Sequence, residues 1–103
     1  MKKSELQELL NRLNSLTGFN PENLNEYISL LKLVNEKLQS LQQEERNPML
    51  DAWLSMGLQE IQRELNQRMM QELPTMNPER QKTEFMYSRS TVSMALTNIL
   101  MHL

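Results

Sequence analysis

Side chains that could carry out catalysis or bind a metal are sparse in this sequence of 103 residues. Histidine occurs once, at His102, and cysteine does not occur. A metal site of familiar kind needs several such groups to converge, and the sequence has no Glu-x-x-His or paired-histidine spacing. We interpret His102 as part of a C-terminal helical turn, where the helix dipole favours it. The sequence therefore predicts no metal-binding or cofactor-binding residue.

The carboxylates and serines have the spacing of helix surface rather than of a catalytic site. We interpret the paired carboxylates, Glu44 with Glu45 and Glu60 with Glu64, as solvated helix surface, and Glu64 and Arg68 are placed for an ordinary i,i+4 ion pair. A serine nucleophile requires an adjacent base or a glycine-rich elbow. Neither accompanies Ser88, Ser90 or Ser93. We predict no catalytic residue and expect the protein not to be an enzyme.

The charge balance argues against a nucleic-acid partner. Eleven basic and thirteen acidic residues leave a net charge of −2, which provides no positive field for a phosphate backbone. The basic residues near the start of the last predicted helix alternate with Glu79 and Glu84, and no aromatic ladder accompanies them to stack bases. We therefore expect no nucleic-acid binding.

Membrane association and export are not predicted either. No window approaches the roughly 20 apolar residues of a transmembrane helix, and the lysines at positions 2 and 3 are not followed by the apolar stretch of a signal peptide. The polar side of residues 91–103 carries Thr, Asn and Ser instead of cations, so contact with a membrane surface is disfavoured. The absence of cysteine fits a reducing compartment, and we expect a cytoplasmic protein.

The composition predicts an all-α fold, because glycine, β-branched and aromatic residues are few while Leu, Gln, Glu and Met abound. Asn-Pro pairs at positions 20–21, 47–48 and 77–78 are helix starts. Ser4 begins a capping-box spacing, and Gly18 is suited to end the first helix. We predict a single domain over residues 1–103: a small four-helix bundle of one short and three long helices, about 5–17, 21–46, 48–73 and 78–103. Its centre is an antiparallel hairpin of the second and third helices.

Apolar spacing in the first three helices predicts one buried stripe each. The stripes are Leu6, Leu9, Leu10, Leu13 and Leu16; Leu24, Tyr27, Leu31, Val34, Leu38 and Leu41; and Leu50, Leu54, Leu58, Ile61, Leu65, Met69 and Leu73. The second helix has further apolar residues, Ile28, Leu30 and Leu33, which the first helix is expected to cover.

The fourth helix has apolar residues on two opposite sides. Phe85, Val92, Leu96, Ile99 and Leu103 form a narrow core stripe, and we expect Met49, Trp53 and Met56 of the third helix to cover its end. Tyr87, Met94 and Met101 recur every seven residues on the other side. Because methionine-rich surfaces adapt to other chains, we predict that these three residues form a partner interface. The alternatives are a bundle that encloses the helix more fully, or three unrelated exposed side chains.

Two classes of function are compatible with these features. The first is a protein–protein interaction module, namely a small helical adaptor, chaperone or inhibitor that presents a helix face to a partner chain. The second is a structural subunit of a virion or secretion apparatus that packs against copies of itself. In both cases the expected partner is another protein, including a second copy of this chain.

Overall fold

The computed structural model describes residues 2–44 and 47–103, and the described chain is an all-α four-helix bundle without strands. The helices are α1 (Lys2–Asn14), α2 (Pro21–Glu44), α3 (Pro48–Gln62) and α4 (Pro78–Met101). A π-helical segment, Arg63–Glu72, and a 3-10 turn, Leu73–Thr75, continue α3. The all-α four-helix fold predicted from the sequence is confirmed. The predicted end of the second helix at residue 46 lies outside the described residues.

Each Asn-Pro pair starts a helix by the expected mechanism. The Oδ1 atom of Asn20 accepts a hydrogen bond from the Asn23 amide (2.7 Å), that of Asn47 from the Met49 amide (3.0 Å), and that of Asn77 from the Arg80 amide (2.9 Å). These amides belong to first turns and have no partner within their own helices. The three predicted starts are therefore confirmed.

The predicted start and end of the first helix are wrong. Ser4 lies inside α1, which includes Lys2, so it does not stand before the first turn. The helix ends at Asn14, and Gly18 does not have a positive φ. Its end is closed instead by Ser15, whose amide and hydroxyl both donate to the carbonyl of Arg12 (3.3 and 2.7 Å). The last carbonyls thus find partners without a left-handed residue.

Polar contacts between helices define an up-down-up-down topology. Gln42 donates to Ser55 (2.7 Å) and Gln62 donates to Asn35 (3.2 Å), so α2 and α3 are antiparallel, as predicted. Arg12 and Glu26 form an ion pair of 2.8 Å between α1 and α2. Each helix packs against two neighbours in the cyclic order α1, α2, α3, α4.

The predicted leucine stripes form the core. Every member of the stripes in the first and third predicted helices is buried, as are Phe85, Val92, Leu96 and Ile99 of α4. In α2 the stripe is buried from Tyr27 onward, and Leu24 is half-buried. Two predictions at the margin of the core are wrong. Leu33 was expected to be covered by the first helix and Leu103 to belong to the core stripe, and both are exposed. The third predicted helix also differs, since its second half is the π-helical segment.

Candidate interaction site

Gly57 of α3 lies against Ile99 of α4. A Cβ atom built on Gly57 would lie 2.6 Å from Cδ1 of Ile99, which is less than van der Waals contact. A larger residue at position 57 would therefore make the end of the Ile99 side chain shift. Gly57 thus accommodates Ile99 at the contact between the two helices that form the candidate site.

The prediction that Met49, Trp53 and Met56 cover the end of α4 is only partly right. Trp53 packs there with its ring 5.0 Å from that of His102 and nearly parallel to it (29°). Trp53 remains half-buried, however, and Met49 and Met56 are exposed. Ile99, which is fully buried, packs against Gly57 of α3 instead, and the two methionines lie on the outside.

A shallow groove of about 340 Å³ runs between α3 and α4. We call it the α3–α4 groove. Its apolar lining consists of Trp53, Met56, Gly57, Tyr87, Met94 and Ala95. Glu60 is the one charged residue at its edge, and it forms an ion pair with Arg63 (2.7 Å). The groove therefore offers a mainly apolar surface to solvent.

The predicted interface residues lie on the outer side of α4, and we call them the α4 row. Tyr87, Met94 and Met101 are 66%, 67% and 76% exposed. The structure brings Tyr87 and Met94 to the rim of the α3–α4 groove, whereas Met101 lies outside its lining. Sequence reasoning missed Met56, which it assigned to the cover of α4 and which belongs to the groove.

The second half of α4 carries no acidic, lysine or arginine side chain. Residues 90–103 contain no Asp, Glu, Lys or Arg, although 23% of the whole sequence is charged. Arg89, the charged residue just before this stretch, turns away from the row, and its Nη1 donates to the Asn14 carbonyl (3.1 Å). The α4 row therefore lies on a neutral surface.

A buried hydrogen bond joins α2 to α4 across the bundle. The Tyr27 and Ser88 hydroxyl oxygens are 2.7 Å apart, and both residues are fully buried. Burial raises the pKa of the Tyr27 phenol far above its ordinary value, since the ionised form would lose its hydration. Phe85 packs edge-on against the same ring, with 5.2 Å between centroids. Burial, and not the bond to Ser88, therefore keeps Tyr27 in its neutral form inside the core.

A second polar group in the interior corrects the prediction for Glu64. Glu64 is only 2% exposed, not solvated, and its Oε1 lies 3.5 Å from Nε of Arg68. Arg68 also donates through Nη2 to Glu84 of α4. Burial alone would lower the pKa of Arg68, but the hydrogen bond to Glu84 and the charge of Glu64 outweigh it and raise that pKa. Through Arg68, this set of charged side chains connects the π-helical segment to Glu84 of α4.

A helical projection contains the signal that reveals the burial of Glu64 beside the partly buried Arg68. Arg68 follows Leu50 by 18 residues, or about five turns of an α-helix, so the two project at one angle. Glu64 falls within about 40° of Leu50 on the same projection. Both residues therefore lie on the leucine stripe.

Within the described residues, no group of three or more His, Cys, Asp or Glu residues could hold a metal ion. No helix in this part of the chain is both long and apolar enough to cross a membrane. The site therefore belongs to a small all-α bundle with an exposed apolar groove. No protein-family model, curated protein or solved structure matches the chain.

Proposed function

We propose that this protein is a non-enzymatic protein–protein interaction module that presents its α3–α4 face to a partner chain. One observation carries the proposal: Met56, Tyr87 and Met94 are all exposed around a single apolar groove. Contiguous exposed apolar surface on a small domain marks a binding site more often than scattered single residues do.

The chemistry of this face suits a protein partner. Methionine side chains are flexible and polarisable, so they adapt to the shape of a neighbouring surface. Tyrosine and methionine are enriched at interface centres, from which charged residues are depleted. Tyr87, Met94 and Met101 supply these residue types, and residues 90–103 contain no Asp, Glu, Lys or Arg. The absence of cysteine suits the reducing environment of the cytoplasm, where we place the interaction.

Site-specific photo-crosslinking in cells of the source organism tests the proposal. Benzoylphenylalanine replaces Tyr87 or Met94, and as a matched control it replaces Gln39, an exposed residue of α2. We expect the same crosslinked protein product from both α4 positions and none from position 39. Equal labelling at all three positions, or none at any of them, contradicts an interaction face on α3 and α4.

A further inference from the structure

We infer that the partner on this face is a second copy of the chain, paired antiparallel through α4 about a two-fold axis at Met94. The inference rests on the proposed function and names the partner of that same face. Three features of the described residues support it: the symmetry of the α4 row, the distribution of charge along α4, and the neighbouring groove.

The α4 row is symmetric about its middle member. Tyr87 and Met101 each lie seven residues from Met94, so a two-fold axis there sets Met94 against Met94 of the second copy. The same operation sets Tyr87 against Met101 of the second copy, and sulfur–aromatic contacts of this kind are favourable. An isologous interface requires such a self-complementary patch.

The charges on α4 select the antiparallel orientation. Its first turns carry Glu79, Arg80, Lys82 and Glu84. In a parallel pair each of these would face its own like charge, which is unfavourable. In the antiparallel pair they lie beyond the last turn of the other helix, because α4 ends at Met101. Among Asp, Glu, Lys and Arg, the overlap of residues 85–103 then contains only Arg89, which is bonded towards α1; its one histidine is His102.

The α3–α4 groove supplies the other half of the contact. It lies beside the α4 row and is lined by Trp53, Met56 and Ala95, so a side chain from the second copy can enter it. The overlap of the two α4 helices, residues 87–101, is about 22 Å long and, with α3 included, about 20 Å wide, or about 440 Å² per copy. Stable interfaces bury about 800 Å² per partner. We therefore expect a pair that dissociates on dilution.

Light scattering coupled to size exclusion, across a range of concentrations, tests the pair. We expect the mass to rise with concentration from that of one chain to a plateau at two chains. Met94→Glu should weaken association more than tenfold, because it sets two glutamates face to face at the axis. Gln39→Glu is the control, since Gln39 is exposed on α2, outside the row and the groove, and it should leave association unchanged. Circular dichroism verifies that both variants fold.

Single cysteines test the geometry, because the natural chain has none. Under mild oxidation Met94→Cys should form a disulfide between copies. Tyr87→Cys and Met101→Cys should do so only when the two variants are mixed. A Tyr87→Cys protein that crosslinks to itself in preference to this mixture overturns the antiparallel register.

A mass that stays at one chain at millimolar concentration overturns the second copy as partner. If photo-crosslinking at Tyr87 and Met94 then yields a different protein, the interaction module stands and only the self-pairing fails. A mass that grows without a plateau overturns the closed pair and favours the assembly subunit.

Discussion

The hydroxyl of Tyr27 lies 2.7 Å from that of Ser88, a residue 61 positions further along the chain. The bond spans the bundle between α2 and α4, which lie diagonally opposite each other in the ring of helices. Because both groups are removed from water, each depends on the other for its hydrogen bond. The pair therefore fixes the position of α4 relative to α2.

Removing the Ser88 hydroxyl alone should lower the free energy of unfolding more than removing it together with the Tyr27 hydroxyl. Ser88→Ala leaves the Tyr27 phenol without its partner, and we expect a loss of about 1–3 kcal/mol in the free energy of unfolding. Tyr27→Phe should cost less, because a helical serine can donate to its own backbone. Urea denaturation of the single and double variants measures the coupling. Tyr87→Phe, at an exposed position, should be neutral, and additive losses would contradict the paired bond.

Alkaline pH should destabilise the protein through Tyr27. Its pKa is raised in the folded state above the ordinary value of 10.0, so above that pH the unfolded chain releases a proton that the folded chain retains. Stability is complete below about pH 10 and should fall by up to about 1.4 kcal/mol per pH unit above it. Tyr27→Phe lacks this loss. Unfolding at pH 9, 10 and 11 compares the two proteins, and parallel curves would refute the effect.

Removing one partner of the Glu64–Arg68 ion pair should lower the stability of the protein more than removing both partners. Arg68→Leu leaves Glu64 buried without its main cation, and we expect a loss of about 3–5 kcal/mol. The double variant Glu64→Leu, Arg68→Leu should recover much of that loss, since the more deeply buried carboxylate is gone and only Glu84, which is 24% exposed, has lost its partner. Glu60→Gln is the control, because it breaks a more exposed pair worth about 0–1 kcal/mol. Thermal unfolding measures all three, and a double variant no more stable than Arg68→Leu would contradict the account.

The contact between Gly57 and Ile99 should show strong coupling. Gly57→Ala gains up to about 1 kcal/mol of helix propensity, but its methyl group would collide with Cδ1 of Ile99. Overpacking costs about 1–3 kcal/mol, so we expect net destabilisation. Ile99→Val removes the colliding atom, and in that background Gly57→Ala should stabilise. Urea unfolding of the four proteins completes the cycle, and the same effect in both backgrounds would rule out the collision.

The sequence predicted what local spacing determines. The Asn-Pro pairs act through bonds to amides two or three residues away, and the leucine stripes follow from the helical period, so both were recoverable without knowledge of the fold. Glu64 projects onto the leucine stripe, so its burial was recoverable from the sequence as well, whereas the exposure of Met56 depends on how α3 and α4 pack against each other. That packing brings together Gly57 and Ile99, which are 42 positions apart in sequence.

The α4 row shows the same limit of prediction from local spacing. Its spacing predicted one line of apolar residues opposite the core, and the structure shows those residues exposed. What faces them is not encoded in the helical period of one chain. The π-helical segment was also beyond prediction, because a search at the α-helical period does not detect a widened turn.

The π-helical segment, Arg63–Glu72, bears on how the chain can change its length over evolution. A π turn closes its hydrogen bond one residue later than an α turn, as shown by the Leu73 amide, which donates to the Arg68 carbonyl. Removing one exposed residue such as Asn66 would allow a turn to revert to the α form, while the helices before and after it keep their places. This segment is therefore where we expect insertions and deletions of one residue to be absorbed inside a helix, without a loop to accommodate them.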